Sequence, residues 1–218
     1  MTDNLILTGV VLSATPVGEY DRLLVLLTKE RGRITAFAKG ARRPNSALRA
    51  VACQFVCASF ELYEGRSSYT LKSAEVISYF TELQSDLNAL CYGSYFTELA
   101  DYFAKENLVA ADMLNLLYVS FKALQKKQIP ADLIRYIFEL KLMVIEGEYT
   151  ELPPVPCNPT AVYAWEYVIK TPLNKLYTFN LKEDSRIEFS HAVTVLKRRI
   201  IDRSFHSLEI LESMEGLF

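Results

Sequence analysis

Histidine is nearly absent from this chain of 218 residues: there are two, His191 and His206, and a single tryptophan. A Ser–His–carboxylate site or a histidine-held metal needs an imidazole placed among other functional groups. His191 directly follows Ser190, which reads as a helix cap, and His206 sits in Arg203-Ser204-Phe205-His206-Ser207. Both read as helix-end surface residues. The four cysteines, Cys53, Cys57, Cys91 and Cys157, are scattered among apolar or small neighbours. Zinc ligands come as closely spaced pairs, twice over, so these thiols read as small buried hydrophobes and no metal is expected. Glycine and proline number 8 each, which excludes a collagen-like or low-complexity chain. No stretch approaches the roughly 18 apolar residues that a membrane span requires. Met1-Thr2-Asp3-Asn4 puts no basic region ahead of an apolar one, so no secretory leader is expected.

Catalytic motifs are missing too. There is no Gly-x-Gly-x-x-Gly after a strand, no Walker-type phosphate loop and no Gly-x-Ser-x-Gly elbow. Glu183 and Asp184 lie next to basic residues in a polar turn, with no apolar pocket to raise a carboxyl pKa. They read as a solvated loop. A nuclease would need a carboxylate cluster for metal ions, and none is visible. No catalytic residue and no cofactor is expected, and the chain reads as non-enzymatic, reduced and cytosolic.

Half of the residues are apolar and 23% are charged, with a formal net charge of −2. A chain of this length buries roughly 70% of its unfolded surface, enough for one or two domains without staples. Residues 1–78 carry strand signals at Leu5–Leu12, Leu23–Leu27, Arg33–Ala38, Gln54–Tyr63 and Ser68–Ile77. Within Arg33–Ala38 the alternation puts Ile34, Ala36 and Ala38 on one face and Arg33, Thr35 and Phe37 on the other. Five short strands suit a small barrel or a sandwich. From about residue 80 the apolar period becomes helical. One helix runs through Leu87, Tyr95 and Phe103. A second starts at Ala111 or Asp112, and a third, capped by Asp132, is apolar almost all round until Gly147 stops it. Residues 152–159 hold four prolines and read as a linker or irregular segment, after which a short mixed region leads to a last helix from Ser190. The outer face of that helix carries Lys197, Arg198, Arg199 and Arg203.

Charge is unevenly distributed. Residues 29–49 hold seven basic side chains and one acid, a local net of +6. Residues 1–78 carry ten basic and seven acidic side chains, net +3, which leaves −5 for the remainder. The +6 segment is either a solvated loop or an anion-binding surface. For the second reading, Gly40 lets the backbone approach a phosphate, Arg forks engage phosphate oxygens in pairs, and Phe37 shares a strand face with Arg33, as in single-strand binders.

Gly18-Glu19-Tyr20-Asp21-Arg22-Leu23, Leu26 to Arg33, Ala38-Lys39-Gly40-Ala41-Arg42-Arg43-Pro44 and Gln54-Phe55 resemble the N-terminal domain of the RecO family, bacterial recombination mediators of DNA repair. Cys91 to Leu99 and Arg135 to Leu140 are similar to helices of the same family. The resemblance implies an α+β architecture: a five-stranded OB-fold β-barrel over 1–78, then an α-helical domain over 79–218 with an irregular Pro-rich segment near 150–185. It implies binding of single- and double-stranded DNA, annealing of complementary strands, partnership with RecR, and binding to the C-terminal tail of the single-stranded-DNA-binding protein. Together these help load RecA onto coated strands, in the cytoplasm at the nucleoid.

On this reading the DNA-binding residues are Arg31, Arg33, Lys39, Arg42, Arg43 and Arg49, with Arg66, Lys72 and Phe37, the last either stacking on a base or packed under a loop. Lys197, Arg198, Arg199 and Arg203 are either the tail site or a solvated helix face. Many relatives carry a four-cysteine zinc module after the third helix, whereas Cys157 stands alone here. The alternative of a different class is a protein–protein adaptor whose basic loop is incidental.

Overall fold

The computed structural model describes residues 4–66 and 68–215. Strands β1 (Asn4–Val17), β2 (Asp21–Thr28) and β3 (Gly32–Ala38) form an antiparallel meander. Strand β4 (Cys57–Glu64) pairs with both β1 and β5 (Tyr69–Ser78), and β5 closes the sheet on β3 in parallel. The closed order β1-β2-β3-β5-β4 is an OB-fold barrel. Its interior is built by the expected alternation: Ile34, Ala36 and Ala38 point inward with Leu24, Leu26, Phe60 and Leu62, while Arg33, Thr35 and Phe37 face out. Full burial of a side chain such as Phe60 contributes about 1.5–3 kcal/mol. Strand β4 begins three residues after the expected Gln54, because Phe55 adopts a left-handed backbone (φ 71) and donates its N–H to Val11 O at 3.0 Å. Cys53 therefore lies in a turn and Cys57 in the strand, where burial pushes its thiol up to about 12.

Helices follow: α1 (Thr81–Ser85), α2 (Leu87–Phe103), α3 (Ala111–Lys126), α4 (Ala131–Ile145), α5 (Pro159–Lys170), α6 (Glu183–Ile200) and α7 (His206–Glu215). Among the described residues no helix is long and apolar enough to cross a membrane. Two compact units divide the chain. One takes in the chain through Gln84 together with Thr97–Leu114, and the other Ser85–Phe96 together with the chain from Asn115 onward. Backbone pairing ties the α2–α3 connection to the barrel. Gly32 bridges Glu106, Arg33 N–H donates to Lys105 O (3.1 Å), and Asn107 N–H donates to Arg31 O (2.9 Å).

In the second unit α4 is the central element, buried from Leu133 through Met143 except at Tyr136, with Phe138 stacked on Phe96 at 4.2 Å. Two charged groups inside it have several partners each, although the buried Glu139 Oε2 has none. Glu139 Oε1 accepts from Tyr95 OH (2.6 Å), Lys197 Nζ (2.8 Å) and Arg135 Nε (3.1 Å). Lys141 Nζ donates to the carbonyls of Val168, Ile169 and Thr171 at the end of α5, where a cation also meets the negative end of the helix dipole.

Several helix boundaries differ from the sequence reading. Asp132 does not cap α4: Pro130 holds that position, and Asp132 sits in the first turn facing Arg186 at 3.5 Å. Gly147 does stop α4, with φ 77 and its N–H bonded to Val144 O. The Pro-rich segment is irregular through Asn158, but its last proline opens a helix: Asn158 Oδ1 caps α5 by accepting from Ala161 N–H (2.9 Å) and Pro159 is its first residue. Helix α6 starts at Glu183, so Glu183 and Asp184 form its first turn, and Ser190 and His191 are mid-helix rather than at a cap. Its inward stripe is Ser185, Phe189, Ala192, Val193 and Leu196, with Ile187 outside; a polar residue inside and an apolar one outside blur the pattern. Lys197 also turns inward, to Glu139, and does not belong to the outer face.

Burial alone pushes the Glu139 carboxyl up, but Lys197, Arg135 and Tyr95 together hold it below its ordinary 4.5. The stabilisation from its charged form is complete above that ordinary value and fades as pH falls toward the lower folded value. Glu139→Leu is expected to cost about 3–5 kcal/mol by stranding two buried cations. Glu139→Gln is expected to flatten the acid limb of stability, read by thermal melts from neutral to acid pH.

Candidate nucleic-acid interface

The basic side chains of the barrel fall into two sets, according to what faces them. The first set lies on the connection 39–56 between β3 and β4. This loop is folded by successive turns, Arg43 N–H to Gly40 O, Ser46 N–H to Arg43 O and Arg49 N–H to Ser46 O, each at 3.1 Å. Ala41, Val51 and Ala52 anchor it in the barrel core.

The β1–β2 turn clasps its start. Asp21 Oδ1 accepts the Gly40 N–H at 2.7 Å, Tyr20 O accepts the Arg42 N–H at 2.8 Å, and Gly18 O accepts from Arg42 Nη1 at 3.0 Å. The Arg43 guanidinium lies 5.0 Å from the Tyr20 ring, a cation–π contact. Arg22 Nη1 holds the far end by donating to Ala52 O (2.5 Å) and Cys53 Sγ (3.1 Å). Gly40 has φ 68, a conformation other residues adopt at a cost. Its amide is taken by Asp21, so the glycine serves the clasp and not a phosphate contact through the backbone. Lys39, Arg42, Arg43 and Arg49 are exposed, and among the described residues none of them has a carboxylate in ion-pair range.

The second set is paired. Arg31 Nη1 lies 2.5 Å from Glu64 Oε1 and 2.7 Å from Tyr69 OH. Arg33 Nε lies 2.6 Å from Asp101 Oδ1, and Lys72 Nζ lies 2.6 Å from Glu61 Oε1. The Arg31 guanidinium holds the Glu64 carboxyl below its ordinary value, and Lys72 does the same for Glu61. Arg66 is exposed on the β4–β5 turn, beside a groove of about 220 Å³ that Arg33, Glu64, Tyr69 and Glu106 also line. Phe37 is half-buried, in register with Leu23 of β2.

In the helical unit, Arg198 and Arg199 are exposed in the last turn of α6. Arg203 follows it, 5.0 Å from the Phe205 ring. Lys197, Arg198 and Arg203 border a cleft of about 120 Å³ with Ile201, Phe205 and Glu212. A zinc module does not fit this chain. Cys157 Sγ faces the carbonyls of Val155 and Glu188, and among the described residues no cluster of three His, Cys, Asp or Glu could hold a metal.

Sequence reasoning missed Tyr20, Asp21 and Arg22 as the supports of the basic loop. The signal was available in the meander itself: Arg22 pairs with Ala38, so the turn before β2 must lie beside the residues that leave β3.

The fold and this loop define an OB-barrel protein that presents a pinned row of cations and carries a helical second part. The family model for the N-terminal part of recombination protein O matches residues 1–80, and the model for its C-terminal part matches 84–152. The DNA repair protein RecO of Acetivibrio thermocellus is 35% identical over 96% of this chain and 97% of its own length. Those of Alkaliphilus metalliredigens and Bacillus subtilis are 37% and 33% identical over 74% and 66% of this chain, spans that cover 66% and 56% of those proteins. The chain belongs to the RecO family.

Asp21→Ala removes the acceptor for the Gly40 amide. The expected result is a loss of about 1–2 kcal/mol, with faster hydrogen exchange at Gly40 and Arg42 read by amide NMR.

Proposed function

We propose that the chain acts in DNA repair and recombination, the roles that its relatives' names and its family's description state, by binding DNA through the basic loop of the barrel. The observation that carries this reading is the row Lys39, Arg42, Arg43 and Arg49: four exposed cations on one pinned loop, without carboxylate partners among the described residues, in a chain whose net charge is −2. Such groups neutralise backbone phosphates and carry little sequence information, so single- and double-stranded DNA both fit. Two strands held along one basic surface repel each other less, which favours annealing.

In the same reading the protein partners RecR and helps load RecA onto strands coated by the single-stranded-DNA-binding protein. Arg198, Arg199 and Arg203, beside the apolar Ile201 and Phe205, form the surface for that protein's acidic C-terminal tail. Lys197 supports this surface from within rather than contacting the tail. Phe37 supplies a flank of the DNA track, and Arg66 an outlying cation.

With four phosphates neutralised on a single strand, log Kobs against log salt should fall with a slope of about −2.8. Arg42→Ala with Arg43→Ala should remove about half of that slope and weaken binding about 25-fold at about 0.1 M salt, equally for all sequences. Fluorescence anisotropy with several oligonucleotides checks both. Salt-independent binding, or loss confined to some sequences, overturns the reading.

A further inference from the structure

We propose that Glu64 and Asp101 limit the DNA track on the barrel: each cancels a cation at the start of β3, the opposite end of that strand from the basic loop, and so keeps phosphate binding centred on residues 39–49. The inference rests on the DNA-binding reading above. No acid occurs between Glu30 and Glu61, so the loop itself is wholly basic. The two arginines at the start of β3, which precede it in the chain, are held. Arg31 Nη1 sits 2.5 Å from Glu64 Oε1 with Tyr69 OH at 2.7 Å, and Arg33 Nε sits 2.6 Å from Asp101 Oδ1.

These distances are those of charge-assisted hydrogen bonds with the donors already engaged. A phosphate arriving at Arg31 or Arg33 must displace a tethered carboxylate or join it, and joining it brings two anions to one guanidinium. The groove between β3 and the β4–β5 turn has the same balance, with Arg33 and Arg66 set against Glu64 and Glu106. It offers no net charge to a polyanion. Asp101 arrives from α2, 68 positions along the chain from Arg33, so the fold brings this carboxylate to the barrel from a distance. A track limited to one loop holds few nucleotides, and an annealed product leaves it without breaking a long run of phosphate contacts.

Glu64→Gln and Asp101→Asn remove the charge and keep an oxygen acceptor in place. Anisotropy with labelled oligothymidylate is expected to show each variant binding about five-fold tighter at about 0.1 M salt, with a salt slope steeper by about 0.7. Glu75→Gln on β5, an exposed acid with no ion-pair partner among the described residues, makes the same net-charge change and should leave the slope unchanged. Arg31→Gln should be silent in the wild-type chain and should cancel the gain in the Glu64→Gln background.

Thermal melts confirm folding. Should Asp101→Asn unfold, the more exposed Glu64 carries the test alone. Equal gains in Glu64→Gln and Glu75→Gln, or Arg31→Gln weakening the wild type, overturn the inference while leaving the DNA reading intact. A wild type that shows no salt-dependent binding overturns the DNA reading itself.

Discussion

A single carboxylate, Asp21, organises the barrel's charged surface. It accepts the amide proton of Gly40 at 2.7 Å and so fixes where the chain turns on leaving β3. That turn requires the left-handed backbone glycine supplies, and it directs Arg42 to the carbonyl of Gly18 and Arg43 to the ring of Tyr20. Without the clasp the cations of residues 39–49 would sit on a connection free to sample many conformations, and each would give up more entropy on binding a ligand. With it, a run of like charges is held by the β1–β2 turn at one end and by Arg22 at the other.

Three arrangements of the same chemistry then divide the molecule's charges. Inside the helical unit Glu139 gathers Arg135 and Lys197, all three nearly or wholly out of solvent; this trio fixes how α4 meets α6, because breaking a buried pair is far more costly than never having one. On the barrel, Glu61, Glu64 and Asp101 each hold one cation at 2.5–2.6 Å in sites partly open to water, where the pair adds little to stability but removes a positive charge from the surface. The loop's Lys39, Arg42, Arg43 and Arg49 have no carboxylate in ion-pair range among the described residues. A net charge of −2 is therefore compatible with a polyanion partner, since the field that matters is local.

The strands and the first long helices were legible because their hydrophobic periods are clean: Ile34, Ala36 and Ala38 in, Arg33, Thr35 and Phe37 out. The third helix was legible from its all-round apolarity, and its end from Gly147. Helix α5 was obscured because Pro159, a helix start, closes a run of prolines that read as irregular, although Asn158 before it is a recognisable cap. Helix α6 was shortened in the reading because Ser185 is inside and Ile187 outside.

The candidate site was half legible. Lys39, Arg42, Arg43 and Arg49 follow from local composition, but which of the other cations were already engaged depended on strand register and on a helix far along the chain. No spacing rule brings Asp101 to Arg33, or turns Lys197 from the face of its neighbours toward Glu139.

The most direct measurement is an amide NMR titration of the full chain with a short single-stranded oligonucleotide. Shifts concentrated at Lys39–Arg49 and at the clasping turn Gly18–Asp21, weakening together as salt is raised, are the expected result. Shifts that spare this loop and gather elsewhere on the barrel or on the helices would contradict the account.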